Sequence, residues 1–161
     1  MGGGVAGFCY AAFQKALAPA RRVVVFERGR QTLGRILVSG NGRSNFFNSY
    51  LQGNRLPDEP LFAPAQRILG PDWGSRAFAF FNRVFGVPYY VQDWLYYPFA
   101  NKADVLRNAM VKTGERLGVE VVFGELVRTA AADGRPLFAI RGESGAETVL
   151  RPAKTVLALG G

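Results

Sequence analysis

Gly2-Gly3-Gly4-Val5-Ala6-Gly7 opens the chain, and Arg22-Val23-Val24-Val25-Phe26 runs into an acid, Glu27, twenty residues after Gly7. Gly2 to Gly7 fit G-x-G-x-x-G, the turn that receives a dinucleotide pyrophosphate. Gly2 permits a tight turn, Gly4 lets backbone approach the phosphates, and Gly7 lets the following helix pack closely against a strand. The N-terminus of that helix offers free N–H groups and the positive end of a dipole. Glu27 is placed to accept hydrogen bonds from a ribose hydroxyl. Val5 to Ala18 is apolar or Ala-rich and reads as a helix that stops at Pro19. The β-branched run into Glu27 suits a strand buried on both faces of a parallel sheet. Loop, helix, strand and acid follow in the order of a dinucleotide-binding unit. Such a unit also has a strand before its first glycine, and here only Met1 precedes it.

The chain has 161 residues, 48% of them hydrophobic and 20% charged, which is the composition of a folded domain with a sizeable core. No apolar run reaches the length of a membrane span, so no membrane association is expected. The one cysteine, Cys9, leaves no internal disulfide, and without a secretion signal the cytoplasm is the simplest address. There is no histidine, so the Ser-His and Cys-His nucleophile systems are excluded and no metal site is expected. Any chemistry then falls to a cofactor.

The net charge of +8 suits an anionic cofactor. Residues 1–60 hold eight Lys/Arg against three Asp/Glu, while residues 101–161 hold nine against seven. The excess therefore lies beside the proposed phosphate turn. The arginines are scattered and no RNA-binding or zinc-finger pattern occurs, so nucleic acid is not an expected partner.

A second turn, Ser39-Gly40-Asn41-Gly42-Arg43-Ser44-Asn45, follows Arg35-Ile36-Leu37-Val38. Gly40, Asn41 and Gly42 adopt positive φ cheaply, so their N–H groups can converge on an anion or a ring edge, with Arg35 and Arg43 as flanking donors. The same residues suit a surface hairpin turn equally well.

Taken together, GGGVAG, VVVFE and LGRILVSGNGRSNFFN resemble a bacterial family of NAD(P)/FAD-dependent oxidoreductases. Its members include aminoacetone-oxidase-type FAD-binding enzymes and a branch that reduces bile-acid intermediates. The family pattern reads G-R-K-(apolar)-S/T-G-x-G-R-C-N-x-T-N, and the block from Gly40 to Asn48 is the most specific part of the match. Leu95-Tyr96-Tyr97-Pro98-Phe99-Ala100-Asn101 and the closing Thr155-Val156-Leu157-Ala158-Leu159-Gly160-Gly161 are similar to later family segments, the last to a strand ending in A-T-G-G. There are departures: Ser44 stands where the family has Cys, Phe47 where it has Thr, and the Lys after Gly34-Arg35 is missing.

The resemblance implies an α/β, Rossmann-like FAD-binding fold with a partial parallel sheet, and FAD as cofactor. A nicotinamide nucleotide, NAD(P)H, is the implied electron partner, and the substrate a small molecule. It implies that Gly2, Gly4 and Gly7 receive the pyrophosphate and Glu27 the adenosine ribose. Arg35, Gly40, Gly42, Arg43 and Asn45 lie near the phosphates or flavin, and Gly160 and Gly161 bring backbone close to the cofactor. No catalytic acid or base stands out. Family members carry an opening strand and continue beyond A-T-G-G, so the chain reads as the first part of a FAD domain.

The rest of the chain is read in three parts: 1–52 as the dinucleotide-binding part, 53–100 as an aromatic helical insertion, and 101–161 as a helix, strand, meander and return strand. Gly53 to Pro64 reads as a connecting loop. Phe78, Phe81 and Phe85 recur at helical spacing over Ser75–Phe85, a stripe expected in the core. Val87 to Tyr97 reads as extended. Asn101 is expected to cap a helix with Asp104 completing a capping box, and Leu106, Ala109, Met110, Thr113 and Leu117 to form its inner face. Val119–Phe123 reads as a second parallel strand. Leu126–Ala132, Leu137–Arg141 and Glu147–Leu150, joined by tight turns, read as a three-stranded antiparallel meander, and Lys154–Leu159 as an apolar return strand.

Overall fold

In the computed structural model, which describes residues 2–51, 63–132 and 134–160, the apolar run after the glycines is helix α1, Val5–Leu17. Its alanines favour the helix, and Pro19 cannot continue it beyond Ala18, whose N–H closes the last turn on Gln14 O. The β-branched run is strand β1, Val24–Glu27. The chain divides into two compact units: Met1–Arg35 with Val111–Gly161, and Ile36–Met110.

In the first unit, β1 pairs in parallel with β5, Glu120–Phe123, in a register that sets Val24 against Glu120 and Glu27 against Phe123. This is the expected second parallel strand. Ala11 of α1 packs with Val25 and Val119, and Val23 and Val121 close around them. The second half of helix α4, Ala103–Leu117, receives α1 at Gly114. A Cβ there would lie 2.5 Å from Cζ of Phe8, a ring that is 2% exposed, so the absence of a side chain is what admits the ring. After β5 come β6 (Glu125–Ala132), β7 (Arg135–Arg141) and β8 (Glu147–Leu150), paired antiparallel in that order as the expected meander. Its centre is Ala139 and Ile140, both buried.

The return strand does not form. Residues 155–160 carry no regular structure, and Ala158 lies against Gly2 through its carbonyl and against Gly7 through its Cβ.

The second unit is built on rings. Helix α2, Ala63–Leu69, begins where a loop is expected, with Pro64 in its first turn, where a missing N–H costs no helical bond. The rest of the expected loop, residues 53–62, lies outside the described residues. Helix α3, Trp73–Phe85, ends on Gly86 in the left-handed region, and its stripe is core as expected: Phe78 and Phe85 are buried. The expected single extended run is instead a hairpin, β3 (Tyr89–Gln92) and β4 (Leu95–Pro98). Its two-residue turn is Asp93-Trp94, at φ 49° and 67°. Two positive φ values are the sign pattern that matches strand twist, and tryptophan gives no sequence signal for it. β4 also pairs with β2, Phe47–Asn48, to complete the sheet. Phe47 meets Phe78 at 4.7 Å and Tyr96 edge-on at 5.5 Å, and Phe78 meets Tyr89 edge-on at 5.2 Å, so α3 lies on an aromatic sheet face.

Asn101 does not cap α4. It sits at φ 55° two residues before the helix, and its Oδ1 accepts the Tyr90 hydroxyl at 2.7 Å. Asp104 instead accepts from the N–H of Val105. The inner face is as expected at Leu106, Met110 and Thr113, which are buried, while Ala109 and Leu117 are half-buried.

The molecule is therefore mixed α/β. Its described residues hold one two-stranded parallel sheet and two three-stranded antiparallel sheets.

Candidate functional site

The glycine turn lies at the C-terminal end of β1. Gly2 donates its N–H to Phe26 O at 2.8 Å and sits at φ 100°, which suits glycine. A side chain on Gly7 would overlap the carbonyl oxygen of Gly2, so the helix packs against the turn itself at this point. Gly4 is the N-cap of α1, extended, with no side-chain cap and no acid in the first turn. A Cβ on Gly4 would meet nothing within 4 Å. The N–H groups of Gly4, Val5 and Ala6 have no acceptor among the described residues, as is usual in the first turn of a helix.

Glu27 ends β1 and is half-buried. Its Oε2 accepts the N–H of Gly3 at 2.7 Å and its Oε1 the N–H of Gly29 at 2.6 Å. The carboxylate is therefore not a free acceptor waiting for a ribose, although each oxygen keeps a further lone pair. The carbonyl of Gly3 accepts the N–H of Leu33 at 2.7 Å. Leu33 is 1% exposed and holds φ 60°, a conformation that a branched side chain rarely adopts. Thr32 closes the other side of Gly3, where a Cβ would lie 3.0 Å from Thr32 Cγ2. Leu33 and Thr32 carry no motif by which the sequence could reveal them.

Arg35, in the same unit, is exposed. Gly160 is exposed at φ 79°, two residues after the segment that touches Gly2 and Gly7. Gly161 lies outside the described residues. Of the residues expected at the cofactor, the structure thus brings Gly2 and Gly7 into one turn, with Glu27 on Gly3 inside it and Gly4 at its open side.

Gly40, Gly42, Arg43 and Asn45 belong to the second unit. Gly40, Asn41, Gly42 and Ser44 all have positive φ, at 53°, 53°, 79° and 56°. The segment is a left-handed turn, not a hairpin. It is held from within: Ser44 N–H reaches Ser39 O at 3.1 Å, and Arg43 N–H reaches Gly40 O at 3.1 Å. The Ser39 and Ser44 hydroxyls lie 3.0 Å apart. With Ser39 donating to Ile36 O at 2.9 Å, the buried Ser44 hydroxyl donates to Ser39. Asn45 is exposed, and its backbone N and side-chain oxygen crowd Gly40 closely enough that a Cβ there would lie 2.9 and 3.0 Å from them. Arg43 is half-buried. Its guanidinium lies 4.5 Å above the Tyr97 ring and 3.5 Å from the Tyr97 hydroxyl, so its flat face is committed to that ring.

Cys9, on α1, is the one thiol. Burial pushes it up to about 12 from an ordinary 9.0, so it stays protonated and unreactive near neutral pH. Among the described residues no group of three His, Cys, Asp or Glu could hold a metal ion. Nor, among the described residues, is any helix long and apolar enough to cross a membrane. No protein-family model matches the chain, and no curated protein matches its sequence.

Proposed function

We propose that the chain is the FAD-binding portion of a flavin-dependent oxidoreductase, Rossmann-like in its parallel sheet, cytoplasmic, acting on a small molecule with NAD(P)H as electron partner. The observation that carries this reading is the glycine turn: an uncapped 13-residue helix with open space at Gly4, beside a carboxylate 2.7 Å from Gly3 N. A pyrophosphate fits such a place, because free N–H groups and the positive dipole end need an anion and no side chain supplies one. The turn from Gly2 to Gly7 and the first N–H groups of α1 would hold the pyrophosphate. Glu27, through its remaining lone pairs, would meet the ribose, and Gly160 would bring backbone alongside. The resemblance adds Arg35 as a neighbour of the cofactor. The net charge of +8 favours a dinucleotide with two phosphates. Bound FAD supplies the hydride chemistry, and the protein's part is to hold and orient it.

The test is the visible absorption spectrum of the purified chain before and after incubation with FAD and desalting. A retained flavin spectrum supports the reading, and a colourless protein that takes up no FAD overturns it. Glu27→Ala should weaken FAD retention, as followed by flavin fluorescence during dilution; unchanged retention removes Glu27 from the site.

One observation favours a second reading, a nucleotide-binding module without redox activity. The family's Cys position is here Ser44, whose hydroxyl is buried and bonded to Ser39. Anaerobic addition of NADPH and NADH separates the two. Bleaching of bound flavin supports the oxidoreductase, and flavin that binds but stays oxidised supports the module.

A further inference from the structure

We infer that the outer edge of β8 pairs antiparallel with the same strand of a second copy of the chain, joining two meanders into one continuous sheet. Nothing in this pairing requires a cofactor, so it stands apart from the proposed function. β8 is the last strand of its sheet, with β7 on one side and no strand on the other among the described residues. The turn before it decides which backbone groups are left over. Gly142 N–H reaches Ala146 O at 2.9 Å, so these two form the bonded pair beside the turn. Bonded pairs alternate along an antiparallel ladder, and the register sets Ile140 against Thr148 and Phe138 against Leu150. Thr148 and Leu150 therefore spend their N–H and C=O on β7. Glu147 and Val149 turn theirs outward, and the same alternation carried one residue past β8 turns out those of Arg151. No described residue bonds the backbone of Glu147, Val149 or Arg151 on that side.

A strand can join this edge only in registers that bring outward residues opposite one another. One such register also satisfies the side chains. About a two-fold axis at Val149, Val149 opposes Val149 of the second copy, and Glu147 opposes Arg151 in both directions. All three residues are exposed, Val149 to 48%, and residues two apart on a strand share a face. On that face Glu147 already holds Arg141 Nη2 at 3.0 Å, so the pairing sets its carboxylate between an arginine of its own chain and one of the other. Moving the axis to Thr148 or Leu150 loses both Glu–Arg pairs, and moving it to Glu147 sets like charges opposite each other. Acid, valine, arginine is thus complementary to itself when reversed, which is what a two-fold interface between identical chains requires. The other edge of the meander lacks this property. β6 has a bulge between Leu126 and Arg128, which turns an edge away from pairing, and residues 129–132 carry no charge.

The contact is small and belongs with weak interfaces, below about 1,200 Å². The full chain is therefore followed by sedimentation velocity from about 10 µM to about 1 mM, in about 0.15 M salt to screen the net positive charge. Wild type should pass from monomer to dimer, with exchange of the Glu147 and Val149 amides slowing at high concentration. Val149→Pro removes an outward N–H and leaves the bonds to β7, as an edge strand permits, and should weaken association about tenfold or more. Glu147→Arg and Arg151→Glu each set like charges opposite in their own dimers and should associate about tenfold more weakly than wild type. Mixed one to one, the two variants oppose arginine to glutamate at both ends and should associate about tenfold more tightly than either alone. Circular dichroism checks folding; if Val149→Pro does not fold, the mixture of charge variants decides. Wild type that stays monomeric at about 1 mM overturns the pairing, and so does a dimer that folded Val149→Pro leaves equally tight. Charge variants that associate no better mixed than alone overturn it as well.

Discussion

Gly4 and Gly7 stand three residues apart in one motif and are held to glycine for opposite reasons. Gly7 has no room, since a Cβ would overlap the Gly2 carbonyl; Gly4 has an ordinary φ of −70° and open space. Gly7→Ala should therefore cost about 1–3 kcal/mol by overpacking, visible as a lower urea midpoint. Gly4→Ala should leave the midpoint almost unchanged and, if the proposed site is right, weaken FAD or pyrophosphate binding, because the added methyl would project into the open space proposed for the cofactor. Equal effects of the two on stability would show that Gly4 is structural. Cys9 gives a residue-scale prediction in pH. Its folded thiol titrates near 12 against an ordinary 9.0, so the unfolded chain releases its proton first as pH rises. The stability that the neutral thiol contributes is complete below about pH 9 and lost between about 9 and 12, by up to about 1.4 kcal/mol per pH unit. Wild type should lose more stability than Cys9→Ala across that window, and a thiol reagent at pH 8 should label the folded protein far more slowly than the unfolded one.

At the scale of elements, the seam between α1 and α4 rests on one ring and one glycine. Gly114→Ala gains up to about 1 kcal/mol of helix propensity, but its methyl meets the buried Phe8 ring at 2.5 Å. The clash should win, giving a net loss of about 1–2 kcal/mol in chemical denaturation. Phe8→Leu should recover part of it in the double variant, and strict additivity would place the clash elsewhere. The elements also show what a sequence can carry. α1, β1, α3, β5 and the meander were legible because each announces itself by local chemistry: alanines, β-branched runs, a phenylalanine stripe, turns between short strands. The hairpin at Asp93-Trp94 was not, because a tryptophan at positive φ contradicts local preference and is held by its neighbours. Trp94 O accepts from Ser49 N at 2.9 Å, and the Trp94 ring packs on Tyr50 at 5.3 Å. Lys154–Leu159 has the composition of a strand, yet residues 155–160 carry no regular structure. In the candidate site, the glycines and Glu27 were legible as a motif. That Glu27 bonds Gly3 and Gly29 was not, since backbone donors leave no mark in side-chain identity.

At the scale of the whole molecule, each unit has its own reporter. Trp73 and Trp94 both lie within Ile36–Met110, and Cys9 lies in the other unit. Helix α4 is one 15-residue element that contributes Ala103, Leu106 and Met110 to the first of these and Thr113 and Gly114 to the second. Cut at Met110, it would leave two pieces of about two turns each, well below the length at which a helix holds by itself in water. Loss of either half therefore frays the other. Urea unfolding followed by tryptophan emission and by pulsed labelling of Cys9 should give coincident midpoints. A helix-weakening change at an exposed α4 position tests the reason as well as the result. Lys112→Gly, costing about 1 kcal/mol, lies on the Cys9 side of the division, yet it should lower both midpoints together. A shift confined to the Cys9 signal, with tryptophan emission unmoved, would mean that the halves of α4 melt separately and that the units unfold independently.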